Sequence, residues 1–119
     1  MIQKNLKVLY IGGNGNISWW CVNKSLQLGH EVYIITRSPF KKTRRTLDSK
    51  VKIINVNDIN NTTEIKSKLL GMNFDAVCDF ICYSLDNFKS RYEVLKKITK
   101  QYIFISSVFS YLYLSVICI

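Results

Sequence analysis

Histidine and proline are nearly missing from this chain: His30 and Pro39 are the single examples among 119 residues. One histidine cannot build a cluster of imidazole ligands. The four cysteines, Cys21, Cys78, Cys82 and Cys118, lack the paired spacing of a zinc site. No resident metal is therefore expected, and reduced, buried thiols are. Acidic side chains are scarce as well, 8 against 17 lysines and arginines, for a net charge of +9. Such an excess invites a nucleic-acid reading. No helix-turn-helix, zinc-finger or RNA-binding pattern accompanies it, so nucleic acid is not an expected partner. Repeats, low-complexity tracts and linkers are absent, and 119 residues make one domain at most. Met1 to Lys7 is polar and enters an apolar run without a signal-peptide pattern, which sets the expected location in the cytoplasm. The uncharged run from Tyr102 to Ile119 approaches the lower length limit of a membrane span, but Ser106, Ser107 and Ser110 split it into two strand-like halves. A buried strand followed by an apolar tail over residues 112–119 is expected there, and no membrane contact.

The most telling stretch is Lys7 to Ser18, Lys-Val-Leu-Tyr-Ile-Gly-Gly-Asn-Gly-Asn-Ile-Ser. An apolar run, Val8 to Ile11, breaks into Gly12, Gly13 and Gly15. A helix-like segment follows, and Gly29-His30 then leads into a second apolar run, Glu31 to Thr36. That is a βαβ unit with a glycine turn at the exit of its first strand. Glycine there lets the backbone approach a pyrophosphate while the next helix directs its N-terminal N–H groups at the same place. The spacing has two framings, Gly12-x-x-Gly15-x-x-Ser18 and Gly13-x-Gly15-x-x-Ser18. In both, Ser18 replaces the usual third glycine, at the position that packs helix against strand.

The rest of the chain alternates in the same way, which predicts a parallel sheet with helices on both faces. Strands are expected at about Lys7–Ile11, Glu31–Thr36, Val51–Val56, Ala76–Ile81 and Tyr102–Ser106. Helix one is expected over Ile17–Leu28, with Val22, Leu26 and Leu28 towards the sheet and Gly29 as the stop. Asn61 or Thr62 would cap helix two, whose stripe is Ile65, Leu69 and Leu70. Helix three is expected over Leu85–Thr99, with Phe88, Tyr92, Leu95 and Ile98 at helical spacing. Pro39 and the basic cluster Arg37 to Arg45 form a loop after the second strand.

Four features in order make the chain resemble the NAD-dependent epimerase/dehydratase family, the extended and atypical short-chain dehydrogenase/reductases. They are Gly-Gly-Asn-Gly-Asn-Ile17 after strand one; Gly29 to Arg37 at strand two; Asp58-Ile59 after strand three; and the strand pair Phe74 to Cys82 and Tyr102 to Ser107. They extend to about Tyr111. The resemblance implies a Rossmann-like, doubly wound α/β sheet of strand order 3-2-1-4-5, covering residues 1–111 and truncated after the fifth strand. It also implies an NAD(P) cofactor at the carboxyl ends of strands one and four. Gly12, Gly13 and Gly15 would line the pyrophosphate, with Asn16 and Ile17 opening the helix over it. Asp58 would accept from the adenine amino group, or else be only a turn residue capping the next helix. Ile59 would lie on the adenine ring, and Phe80, Ile81 and Cys82 would line the cofactor. At the end of strand two an acid would bind the 2′-hydroxyl of NAD; Arg37 stands there instead and suits the 2′-phosphate of NADP, with Lys41 and Lys42 adding to its field. Ser107 falls at the family's catalytic serine position, with Ser106 its rival in register.

The family's Tyr-x-x-x-Lys pair supplies the acid/base and the lysine that lowers its pKa. It has no counterpart here. The last lysine is Lys100, ahead of strand five, and Tyr111 and Tyr113 are followed four residues on by Ser115 and Ile117. Hydride transfer is thus not expected of this chain by itself. The expectation is an NAD(P)-binding protein like the N-terminal part of a nucleotide-sugar epimerase/dehydratase or reductase, or else a non-catalytic dinucleotide-sensing module of the same superfamily. A sugar-nucleotide-like substrate would belong to a full-length relative. Self-association is expected if the edge of strand five is left uncovered.

Overall fold

The computed structural model describes residues 5–12, 17–37, 48–81, 84–108 and 113–118, with side chains described up to residue 105. The elements in chain order are β1 (Lys7–Ile11), α1 (Ser18–Gln27), β2 (Glu31–Arg37), β3 (Lys52–Val56), α2 (Thr62–Lys68), β4 (Phe74–Asp79), α3 (Leu85–Leu95), β5 (Thr99–Val108) and β6 (Tyr113–Cys118). One sheet holds the six described strands in the order β3-β2-β1-β4-β5-β6. The first five run parallel, in the expected order 3-2-1-4-5.

β1 lies at the centre and is apolar on both faces, as a strand covered on both sides must be. Its period-two alternation sorts the core. Val8 and Tyr10, with Val32 and Ile34 of β2, face α1 and pack on Val22. Leu9 and Ile11, with Ile35, Val56 and Val77, face the other way and pack on Ile65, Leu69, Leu95 and Tyr102. The second cluster carries α2 and α3. A hydrogen bond of 2.6 Å between the Tyr10 hydroxyl and Ser25 Oγ latches α1 to the sheet. Burial pushes the Tyr10 phenol up to about 12, the Ser25 hydrogen bond partly offsetting it. The lone histidine is a structural residue, because His30 Nδ1 accepts from the Leu6 N–H at 3.0 Å and fixes the entry to β1.

Helical ends follow the local chemistry. Asn61 and Ser84 cap α2 and α3, accepting from Glu64 N and Asn87 N. Gly29 takes φ +85° just past the α1 C-cap Leu28. Two apolar residues expected on packed stripes are exposed instead. Leu28 lies off the buried line of α1, which runs Ser18, Val22, Ser25. Leu70 follows the last turn of α2 and is 80% exposed. α3 stops at Leu95 and β5 begins early, at Thr99, because Phe74 to Ala76 of β4 already offer it pairing partners.

The expected end of the sheet needs correction. The segment expected as an apolar tail contains β6, which pairs antiparallel with β5 from Val108↔Tyr113 to Ile103↔Cys118. β5 is therefore an interior strand, and its edge, expected to be uncovered, is paired. An uncharged, mostly apolar run beside an open strand satisfies both sets of backbone groups by pairing.

Leu95→Ala is expected to cost about 2–5 kcal/mol, as for other fully buried leucines. Leu70→Ala should cost less than about 0.5 kcal/mol. Urea unfolding of the two variants beside the parent measures the contrast, and equal losses would refute the burial assignment.

Candidate functional site

The direction of winding reverses at β1. Chain order leads from β1 outward to β2 and β3, then returns to β4 on the other side. In such sheets the crevice beyond the carboxyl ends of the two strands flanking the reversal is where ligands bind. β1 and β4 end together there, with Ile11 opposite Asp79.

Gly12 makes this junction. Its φ is +82°, in the left-handed region, and a Cβ placed on it would lie 2.7 Å from Cγ2 of Ile81. Both facts require glycine. The Gly12 N–H donates to the Ile35 carbonyl at 3.1 Å, and the Phe80 N–H donates to the Ile11 carbonyl at 3.1 Å, so the exits of β2, β1 and β4 are tied in a row. Ser18, the substitute for the third glycine, is 2% exposed, and its hydroxyl donates to the Gly12 carbonyl at 2.7 Å. The side chain that replaces the usual glycine thus ties the start of α1 to the exit of β1. The N-cap of α1, Ile17, contributes no side-chain acceptor and is 54% exposed.

The other expected residues gather at the same carboxyl edge. Phe80 is half-buried against the α1 side and stacks on Tyr10 with centroids 6.0 Å apart. Ile81 packs towards the opposite cluster and over Gly12. Arg37 is the last residue of β2, exposed, in register with Val56 at the end of β3. Asp58 follows two residues later, and its Oδ1 accepts from Asn60 N at 2.9 Å, an Asx turn. Ile59 packs against the core beneath α2. Ser107 lies in β5 beyond the residue paired with Asp79, opposite Leu114 of β6; its side chain lies outside the described residues. So do Gly13, Gly15, Asn16 and Cys82, and Lys41 and Lys42 of the basic loop.

The turn carrying Asp58 is held from below by Glu64. Its Oε1 and Oε2 accept from Asn57 N at 2.9 and 3.0 Å, and Oε1 accepts from Asp58 N at 3.1 Å. Those backbone donors hold its carboxyl below the ordinary glutamate value.

Between the Asp58 turn and Ile81 lies a buried ionic group that the sequence reading did not single out. Asp79 and Arg91 are 0% and 1% exposed. Arg91 Nη1 donates to both Asp79 oxygens, at 2.8 and 2.7 Å. Arg91 Nη2 donates to Asn60 Oδ1 and to the Ile81 carbonyl, each at 3.0 Å. The Tyr102 hydroxyl donates to Asp79 Oδ2 at 2.5 Å, and Ile81 N donates to Asp79 Oδ1 at 3.1 Å. A signal was present. Arg91 is three residues after Phe88 and four before Leu95, so it stands on the apolar stripe of α3, where a charge requires a buried partner.

No family model and no curated protein matches the sequence. Solved structures do match. A short-chain dehydrogenase/reductase from Veillonella parvula superposes with a TM-score of 0.69 at 15% identity, over 88% of this chain and 49% of that one. The likeness is one of fold, a Rossmann-like α/β sheet of order 3-2-1-4-5. A protein provisionally assigned as an epimerase, from Bacteroides thetaiotaomicron, gives 0.65 at 22% identity, over 85% and 47%. The mycinamycin-pathway methyltransferase MycE, solved with Mg, SAH and mycinamycin VI, gives 0.64 at 15% identity, over 86% and 30%. The chain spans 29–62% of the length of the eight solved structures compared. Among the described residues, no helix is long and apolar enough to cross a membrane.

Two outcomes test this geometry. Gly12→Ala should destabilise by about 2 kcal/mol or more, from the left-handed backbone and the Ile81 contact together. Adding Ile81→Ala should recover part of that loss, so that the double variant falls short of the sum of the singles; strict additivity in urea unfolding would refute the contact. For Glu64, the lowered folded-state pKa means that its contribution is present above the ordinary glutamate value of about 4.3. That contribution drains away as the pH falls through the folded value. Glu64→Gln should therefore lose less stability than the parent between pH 6 and pH 3, and identical acid profiles would refute the role.

Proposed function

We propose that this chain binds a nicotinamide dinucleotide across the carboxyl ends of β1 and β4 and does not by itself transfer hydride. The observation that carries the reading is Gly12: a left-handed glycine at the switch point, at the exit of β1, with its carbonyl tied to Ser18, the first residue of α1. That arrangement keeps side chains out of the place where a pyrophosphate meets the start of a helix. In this reading Gly12, Gly13 and Gly15 line the pyrophosphate, Asn16 and Ile17 open the helix over it, and Asp58 and Ile59 form the adenine wall. Phe80, Ile81 and Cys82 border the nicotinamide half.

Asp58 is a turn residue, and the cap of α2 is Asn61. One carboxylate oxygen closes the Asx turn, and a carboxylate has acceptor sites to spare for an adenine amino group. Arg37 supports NADP over NAD, since a guanidinium forms charge-assisted bonds to a 2′-phosphate that NAD lacks. The same point argues against S-adenosyl ligands of the kind bound by MycE, which carry no 2′-phosphate. Ser107 is the one member of the family's catalytic set with a counterpart in this chain. Without a Tyr-x-x-x-Lys pair, the reading is of a binding unit like the N-terminal part of a nucleotide-sugar epimerase/dehydratase or reductase. A dinucleotide sensor of the same superfamily has the same requirements at this edge, and the missing pair fits it equally well.

Isothermal titration with NADPH, NADH and S-adenosylhomocysteine tests the proposal. NADPH should bind tightest. Arg37→Ala should weaken NADPH roughly tenfold or more, the scale of a lost hydrogen bond to a charged group, and leave NADH nearly unchanged. Failure of both dinucleotides to bind the folded chain would refute the site. Robust NAD(P)H oxidation across a sugar-nucleotide panel would refute the lack of catalysis.

A further inference from the structure

We infer that Arg91 is a positioning residue that couples the two walls of the carboxyl-edge crevice. The inference rests on the dinucleotide reading only for what the crevice holds. One guanidinium, on α3, reaches two separate exits. It takes the end of β4 through the Asp79 carboxylate and the Ile81 carbonyl, and it takes the β3–α2 turn through Asn60 Oδ1. Asn60 is in turn joined to Asp58, since its N–H donates to Asp58 Oδ1. The result is a continuous path from Asp58 through Asn60 and Arg91 to Ile81, which lies against Gly12.

The chemistry of the side chain suits this coupling, and that of a lysine does not. A planar fork with fixed donors holds two partners at a set separation, whereas an ammonium ion is a point charge on a flexible stem. The arrangement is also not one that stability alone selects. A buried ion pair is often no better than apolar residues of the same volume, and Arg91 Nε is buried without a hydrogen-bond partner. Asp79 and Tyr102 already satisfy one another on the β5 side. The bond to Asn60 reaches out of the core, because Asn60 is exposed. What that bond does is fix the distance between the adenine-side turn and the β4 exit.

Asn60→Ala cuts this tie and leaves the Arg91–Asp79 ion pair and the Arg91 bond to the Ile81 carbonyl in place. Hydrogen exchange and titration with ADP-ribose, which is NAD without its nicotinamide, are the readouts, in the parent, in Asn60→Ala, in Arg91→Lys and in the double variant. In Asn60→Ala, amides of residues 57–61 should exchange roughly tenfold faster while those of β1 and β4 keep their parent rates. ADP-ribose should bind roughly tenfold more weakly. Asn60→Ala should have no added effect once Arg91 is lysine, because the tie is already gone. Parent-like exchange at 57–61 in Asn60→Ala would overturn the coupling, as would full additivity with Arg91→Lys. If Arg91→Lys does not fold, the exchange of Asn60→Ala decides alone. If the parent binds neither ADP-ribose nor NADPH, the dinucleotide reading fails, and the exchange comparison still decides whether Arg91 holds the turn.

Discussion

Burying Asp79 against Arg91 takes two charges out of water, at a penalty of several kcal/mol for each ion. Only a dense set of hydrogen bonds offsets that. Here the set is supplied by Tyr102 from β5, by the backbone of Ile81 and by Asn60 from the turn after β3. Each donor or acceptor comes from a different part of the chain. The pair can be satisfied only when α3, β4, β5 and the β3–α2 turn have all reached their places. It is therefore less a source of stability than a condition on geometry: alternative packings leave a charge buried without its partners, and they are excluded by that cost.

The same requirement explains why the carboxyl edge is ordered around Gly12. Asp79 and Arg91 set the course of the chain at Ile81, and Ile81 in turn occupies the space that any side chain at position 12 would need. A left-handed glycine, a serine hydroxyl directed at its carbonyl and a branched side chain over its α-carbon form one unit. A hydroxyl at position 18 suits that unit better than a third glycine, which has nothing to donate to the Gly12 carbonyl.

Strand order, the number of parallel strands and the glycine turn were legible because they rest on local signals. Apolar runs alternate with amphipathic segments, and Gly12, Gly29 and Asn61 each mark an end that any backbone of this kind needs. Less legible features depend on partners far along the chain. Arg91 resembles a surface arginine until its place on the stripe Phe88, Tyr92, Leu95 is set against an aspartate 12 positions earlier. Leu28 and Leu70 look like core residues by composition, yet each lies just past the last turn of its helix, where a shift of one residue moves a side chain by about 100° around the axis. The sixth strand looks like a tail in the sequence because nothing local distinguishes an uncharged run that pairs from one that does not. Its partner, β5, decides. Of the candidate site, the places of Gly12, Arg37, Asp58, Phe80 and Ile81 at strand exits followed from the pattern; the network beneath them did not, since hydrogen bonds between Asn60, Asp79, Arg91 and Tyr102 leave no periodic trace.

The reversal at β6 has a practical corollary. The five parallel strands all discharge their chain at the edge where Gly12, Arg37 and Asp58 lie. β6 starts at that edge, with Tyr113 beside Val108, and runs back until Cys118 lies beside Ile103. The last described residues thus point away from the crevice. A fluorophore or tether attached at position 118 sits at the end of the sheet opposite the crevice, which leaves the mouth of the crevice clear in labelled or immobilised protein.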